Sequence, residues 1–340
     1  MTRSTWNCIL SIFPIVLAIV LAFRNTSPMP ALPAIRAANA AFKHSLSPAP
    51  VGVFVGGTSG IGQGMAEAFA RHTNGHSDIV IVGRNRAAAE KILSSMPLPN
   101  SGKFAREFVQ CDATLMKNVQ ATTQDLLSRY PKVNYLVMSP GIMTLSGRDE
   151  TAEGIDKKLA VHYYARWKFL RDLLPALTKA KEAGEEGAVM SVLGAGYGGP
   201  IDVEDLAVEK GYSTSRVAAV APTYNDLMLE AFSQKAPTLS LIHASPGGVR
   251  TSILSSSPSA LIRIGSAVLL PLLLPFTVSP GECAEYMWHA VYSTAAEPGV
   301  YRTDSHGENI GKKSYFGDEE QRKKLWEHTE GLLNSVIARA

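Results

Sequence analysis

The chain has 340 residues, 46% of them hydrophobic and 19% charged, with a formal net charge of +3. This composition is globular and the length suits one large α/β domain or two smaller ones, while the charge is too mild and too free of Lys/Arg clusters to argue for a nucleic-acid partner. The three cysteines, Cys8, Cys111 and Cys283, lie far apart without metal-ligand spacing, so neither a disulfide framework nor a metal site is expected.

The first 28 residues stand apart. Cys8 to Phe23, CILSIFPIVLAIVLAF, is apolar throughout and flanked by Arg3 and Arg24. Sixteen residues are short for a bilayer crossing, which takes about 17–25, and suit a signal-peptide core or a short anchor. Residues 1–28 therefore read as a hydrophobic leader with three alternatives. It is an anchor that ties the protein to a membrane through residues 8–23, a cleaved signal, or an extension without function. A cleaved signal would carry the Asn25-Thr26-Ser27 sequon into the secretory lumen. An extension would leave a cytoplasmic protein beginning near Met29.

From Val51 the pattern alternates. Near-continuous Val/Ile/Leu runs at 51–55, 78–83, 104–111, 133–138, 188–193 and 239–244 read as strands of a parallel sheet covered on both faces. Helix-compatible segments lie between them at 62–71, 86–94, 114–129, 150–181 and 212–235. Strand and helix in strict alternation predict a single doubly wound α/β domain over residues 29–310. Within it, residues 253–279 include ALIRIGSAVLLPLLLPFTV, whose prolines, glycine and Arg263 argue against a spanning helix. An apolar flap over substrate, or a membrane-surface contact, is expected there. Residues 311–340 end in a charged amphipathic helix.

The stretch VFVGGTSGIGQG, Val53 to Gly64, runs a strand into a helix through a cluster of glycines. Gly56 allows the turn, Gly60 a close backbone approach, and Gly62 the packing of helix on strand. With Thr58, Ser59 and Ile61 they offer free N–H groups and a positive helix end to a pyrophosphate. The second strand ends VGRNR, with Arg84, Asn85 and Arg86 and no acid. A carboxylate there would hold a ribose 2′-hydroxyl, whereas a guanidinium forks onto a 2′-phosphate. The expected cofactor is NADP(H) rather than NAD(H).

The spacing Gly-x-x-x-Gly-x-Gly resembles that of the short-chain dehydrogenase/reductase family, whose motif has threonine where Val55 stands. The resemblance runs from about Val51 to Gly307 and implies a Rossmann-type fold. It implies that Asp112, in QCDAT, contacts the adenine, although Asp112 fits a helix N-cap before Thr114 equally well. Gly141 of VMSPGI keeps the family's glycine, while Met138, Ser139 and Pro140 depart from its pattern. Pro246, Gly247 and Thr251 of SPGGVRT match the turn along the nicotinamide.

The family also uses a tyrosine as general acid/base with a lysine four residues on. Here YSTSR supplies Tyr212 and, in place of the lysine, Arg216. One helical turn would put both on one face, and the arginine's fixed charge would lower the tyrosine pKa without relaying a proton. Tyr212 could instead be a surface helix residue. The family's substrate-orienting serine falls at Leu193 or Gly194, with Ser191 two residues earlier on the same side of the strand. Its asparagine falls at His162, which reads either as a proton relay or as a buried, hydrogen-bonded histidine. Eighteen residues separate Leu193 from Tyr212, and the insertion GGPIDVEDLAVEKG brings several acids to the pocket's rim.

These expectations converge on an NADP-dependent oxidoreductase that interconverts a ketone and a secondary alcohol on a hydrophobic small molecule. The chain looks most like fungal members of the family associated with natural-product pathways. The rival expectation is an NADP(H)-binding relative without redox activity, because three of four catalytic positions are substituted. A homo-oligomer is open, since family members are often dimers or tetramers.

Overall fold

Seven strands form one parallel sheet: β1 (Val51–Val55), β2 (Asp78–Gly83), β3 (Arg106–Gln110), β4 (Tyr135–Met138), β5 (Ala188–Val192), β6 (Ser240–Ala244) and β7 (Gly299–Thr303). Their spatial order is β3-β2-β1-β4-β5-β6-β7. The chain steps outward from β1 to β3, crosses back to β4 on the other side of β1, then steps outward to β7. A crevice opens outside the carboxyl ends of the strands where that order reverses. The structure is a computed structural model that describes residues 31–42 and 48–339, with residues 268–273 as backbone only. The leader expected over residues 1–28 lies outside the described residues.

The apolar runs predict six of these strands. The seventh, GVYRT, is an edge strand with three half-buried residues, and it offers no comparable run. The helices are α1 (Leu32–Ala41), α2 (Gly60–His72), α3 (Arg86–Ser95), α4 (Met116–Arg129), α5 (Ala165–Glu182), α6 (Thr214–Lys235), α7 (Ala260–Leu273), α8 (Pro280–His289) and α9 (Glu319–Ala338). A π-helical turn, Ala160–Tyr164, leads into α5.

Because side chains alternate along a strand, the sheet feeds two cores. Val53, Val55, Leu136, Val189 and Leu241 pack with residues of α4, α5, α6 and α9. Phe54, Ile81, Val137, Met190 and Ile242 pack with residues of α2, α3 and α8. The C-terminal helix is an integral part of the first core. Leu325, Thr329, Leu333 and Val336 are buried, and the Trp326 ring lies 5.0 Å from both Trp167 and Phe232. On the opposite face, Asn39 anchors α1 by donating to the Glu285 carbonyl and carboxylate at 2.8 and 2.9 Å. Burial alone would raise the Glu285 carboxyl, but hydrogen bonds from His72, Asn39 and Arg71 hold it down at about 2.

The apolar segment expected as a flap is helical. Its α7 leaves Leu261 and Ile264 exposed, and the following turn leaves Leu274 and Phe276 exposed. No described helix is long and apolar enough to cross a membrane.

Candidate cofactor cleft and active site

The crevice between β1 and β4 is lined by Gly56, Thr58, Ser59, Gly60 and Ile61 after β1, Arg84 after β2 and Asp112 after β3. Its other wall is residues 139–142 after β4, Val161, and residues 251–253 with Ser256 after β6. Each glycine of the first loop has a distinct reason. Gly56 has φ +82°, and a Cβ there would lie 2.8 Å from the Pro140 nitrogen. Gly60 has φ +58°, and its Cβ would meet Thr251 Cγ2 at 3.0 Å. Gly62 is not in the cleft wall. It lets α2 touch the turn, since a Cβ would lie 2.5 Å from both Gly56 O and Ser139 Oγ.

The amino end of α2 has no side-chain cap, as is also true of α1, α4 and α7. Asn85, Ser213, Ser279 and Asp318 cap α3, α6, α8 and α9 with their side chains, but Ser59 makes no such bond to α2. The first amides of α2 therefore face an open cleft without a side-chain acceptor, which is the donor set a phosphate takes. Arg84 is exposed, lines the same cleft and enters no ion pair among the described residues. Arg86 is engaged elsewhere, 4.9 Å over the Phe108 ring and 3.7 Å from Glu90. The residues present thus fit an anionic dinucleotide.

Other expected cofactor residues fall differently. Asn85 caps α3 by accepting from Ala88 N at 3.1 Å and is not among the lining residues. Asp112 lines the cleft while its Oδ1 accepts from Thr114 N and Oγ1 at 3.0 and 2.8 Å. It does not cap α4, whose first amides bond to the Glu153 carboxylate instead. Gly141 lines the cleft beside His162, and Thr251 closes over Gly60. Pro246 and Gly247 stand outside the lining. Gly247 has φ +67°, and Pro246 O lies 3.9 Å from the Cys283 sulfur, so the pair shapes the turn that delivers Thr251.

The expected Tyr212–Arg216 pair is not formed. Tyr212 precedes the N-cap Ser213, outside α6, so the one-turn spacing does not put the two residues on one face. Arg216 turns to the insertion instead. It lies 3.0 Å from Asp205 and 3.7 Å from Asp202, and it donates to Lys210 O. Tyr212 finds a different cation, because Lys158 Nζ donates to its hydroxyl at 2.8 Å. The hydroxyl in turn donates to Asp156 Oδ2 at 3.0 Å. Its pKa is raised rather than lowered, first by burial and then by the hydrogen bond and charge of Asp156.

Neither residue lines the cleft. The reason is the length of α6. Gly194, at the exit of β5, faces Pro222, where a Cβ would lie 3.5 Å from Pro222 Cγ. Thr214 is eight residues nearer the amino end, roughly 12 Å along the axis at 1.5 Å per residue. Tyr212 therefore stands above the strand ends rather than level with them.

The substituted positions also become concrete. Ser191 is fully buried, accepts from Arg166 at 2.7 Å and donates to Asn225 Oδ1 at 2.7 Å, so it cannot reach a substrate. His162 Nε2 accepts from Ile142 N at 3.2 Å. Burial and the charge of Arg166 pull its pKa down to about 3, so the ring is neutral at ordinary pH, with Nε2 engaged as an acceptor of a backbone amide. Sequence reasoning missed Asp156, Lys158 and Arg166. The signal was a run of charges, from Asp156 to Lys168, inside a segment otherwise apolar enough to be core.

An all-parallel doubly wound sheet, with an uncapped helix end at its order reversal and, lining the same crevice, an arginine that has no ion pair among the described residues, defines a dinucleotide-binding α/β domain. A family model described as short chain dehydrogenase matches residues 51–260. The chain is 31% identical over 342 residues to oxidoreductase AN1596 of Emericella nidulans, covering 92% of this chain and 100% of that protein. It is 27% identical over 298 residues to polyprenol dehydrogenase of Mus musculus, covering 84% and 83% of the two chains. Among solved structures, an alcohol dehydrogenase from the archaeon Thermococcus sibiricus complexed with 5-hydroxy-NADP is similar, with a TM-score of 0.53 and 17% identity. That match covers 77% of this chain and 99% of the other. The chain belongs to the short-chain dehydrogenase/reductase family of oxidoreductases.

Proposed function

We propose that the protein is an NADP(H)-dependent oxidoreductase that interconverts a ketone and a secondary alcohol on a hydrophobic small molecule. The observation that carries this reading is the cleft itself. The uncapped amino end of α2 suits a pyrophosphate, and Arg84, which lines the same cleft and has no ion pair among the described residues, supports a 2′-phosphate and so NADP(H). Replacing Arg84 by alanine is expected to weaken NADPH binding about 10- to 100-fold, the worth of one charge-assisted bond, and to leave NADH binding unchanged. Fluorescence titration with the two cofactors checks both halves. Equal losses for NADPH and NADH would remove the basis for NADP(H) selection.

The apolar substrate is argued from the rim. Met143 and Leu145 follow β4, Tyr197 follows β5, and Leu261 and Ile264 lie in α7 in the connection after β6; all five are exposed, on segments that leave the carboxyl ends of the strands. Exposed apolar side chains gathered around a cleft mark a binding mouth. Relatives include fungal oxidoreductases and a short-chain dehydrogenase/reductase of Stachybotrys chartarum, which supports a place in fungal secondary metabolism.

NADPH supplies the hydride when bound. Tyr212 is the proposed proton donor, with Lys158 in place of Arg216 as its cation; because its hydroxyl stands outside the cleft lining and donates to Asp156, donation requires bound substrate to draw it from Asp156 toward the cleft. Lys158 shares a helical face with His162, one turn on, and Val161 beside it lines the cleft. A raised tyrosine pKa keeps the hydroxyl protonated at neutral pH, which suits donation to an alkoxide in carbonyl reduction. With NADPH and a panel of hydrophobic ketones, Tyr212→Phe is expected to lower kcat by about 10²–10⁴ at unchanged NADPH affinity. An unaltered kcat would make Tyr212 a loop anchor and remove this mechanism while leaving the enzyme class.

A second reading, an NADP(H)-binding protein without redox activity, is favoured by one observation. The Tyr212 hydroxyl is already occupied by Asp156 and Lys158 outside the cleft. Tight NADPH binding with no turnover on any ketone selects it.

A further inference from the structure

Beneath the β4 end of the cleft lies a charge with no counter-charge. Arg166, at the start of α5, is 1% exposed. Its guanidinium donates to Pro140 O at 2.8 Å, Val192 O at 2.9 Å, Met138 O at 3.3 Å and Ser191 Oγ at 2.7 Å, and its Nε to Val161 O at 3.3 Å. All five acceptors are neutral, and among the described residues no carboxylate pairs with it. Burial pulls its pKa down to about 9, which leaves it protonated at neutral pH. Of the neighbouring groups, Lys158 and Asp156 offset one another at 4.0 Å, and His162 is neutral. This wall of the cleft therefore carries one net positive charge, delivered to its surface through Pro140 and Val161, both of which line it.

The order of sites along the cleft says what meets that charge. Arg84 marks one end and the amino end of α2 the middle, so the nicotinamide of a bound dinucleotide falls at the other end, against residues 140–142 and Val161. The nicotinamide is the part of the cofactor whose charge changes in the reaction, neutral in NADPH and cationic in NADP⁺. Resting on the NADP(H) reading, we propose that Arg166 makes the cleft discriminate between the redox states of the cofactor, accepting the neutral ring and repelling the cationic one. At an effective dielectric of about 20, like charges anywhere within about 10 Å of one another repel enough to change affinity tenfold or more. Such a cleft loads NADPH and releases NADP⁺ readily, which sets the protein up for carbonyl reduction.

The test is a pair of binding titrations of the full chain, with NADPH and with NADP⁺, requiring no substrate and no turnover. The wild-type protein is expected to bind NADPH at least about tenfold more tightly than NADP⁺. Arg166→Lys keeps the charge and is expected to keep the preference, whereas Arg166→Gln keeps two donors without the charge and is expected to bring the two affinities together. Equal affinities in the wild type, or a preference that survives in Arg166→Gln, overturn the inference. Should Arg166→Gln fail to fold, the wild-type and Arg166→Lys ratios decide it, and a ratio near one in either is fatal. Binding of neither form would overturn the NADP(H) reading itself, which is a different result from equal binding of both.

Discussion

Gly62→Ala is expected to abolish NADPH binding and to cost about 1–3 kcal/mol of stability, the range for a methyl forced into a packed site. The new Cβ would lie 2.5 Å from both Gly56 O and Ser139 Oγ and 2.9 Å from Gly56 C. Two of these contacts are backbone, so the clash cannot be relieved by turning a side chain. The relief is for α2 to withdraw from β1, which moves the uncapped amides away from the position a pyrophosphate takes. Gly281→Ala is the matched control, because a methyl at that position in α8 would meet nothing within 4 Å. Urea unfolding and NADPH titration of the two variants should separate cleanly. A Gly62→Ala protein that binds NADPH as the wild type does would sink this account of the loop.

The largest loss of stability is expected from Asp226→Ala, at about 3–5 kcal/mol. Asp226 is 2% exposed and accepts from Arg302 Nε at 3.0 Å, and its other oxygen lies 2.6 Å from His243 Nδ1. His243 Nε2 accepts from Gly194 N at 3.2 Å, at the exit of β5. Arg302 reaches the carbonyls of Gly311, Lys313 and Ser314, which carry the chain toward α9. Removing the carboxylate leaves a buried guanidinium without its counter-ion, and it frees the imidazole that holds the β5 exit. The readout is the urea midpoint at unchanged slope. Asp226→Asn should lose less, since the amide oxygen still accepts one of the two bonds.

Neither Gly62 nor Asp226 bonds to Tyr212, whose partners are Lys158 and Asp156, and the contrast shows which parts of the site could be read in the chain. The glycine loop was legible because its constraints are local. Gly56 and Gly60 adopt positive φ within a few residues of the strand they follow, and the residue types advertise it. Arg84 was legible because a strand end followed by a helix places it at the crevice in any doubly wound sheet. Tyr212 and Arg216 were misread as a pair because their spacing implies a shared face only when both lie in the helix. That helix begins at Thr214, beyond the tyrosine. The insertion before it supplies Asp202 and Asp205, which take up the arginine. Nothing in a pentapeptide reports the acids about ten residues upstream.

The sequence by itself determined the alternation of strand and helix, six of the seven strands, the phosphate-ready turn and the family. Each of these rests on patterns a few residues long, where sterics and hydrophobic period act directly. The tertiary structure decided where charge goes. Lys158 reached Tyr212 across 54 positions of chain, Asp226 gathered His243 and Arg302 from two strands, and Arg166 was enclosed by carbonyls from β4 and β5. A buried charge takes its partners from whatever the fold packs around it, because leaving them unmade costs more than any local preference. Those partners are set by the sheet order and not by neighbours in the chain.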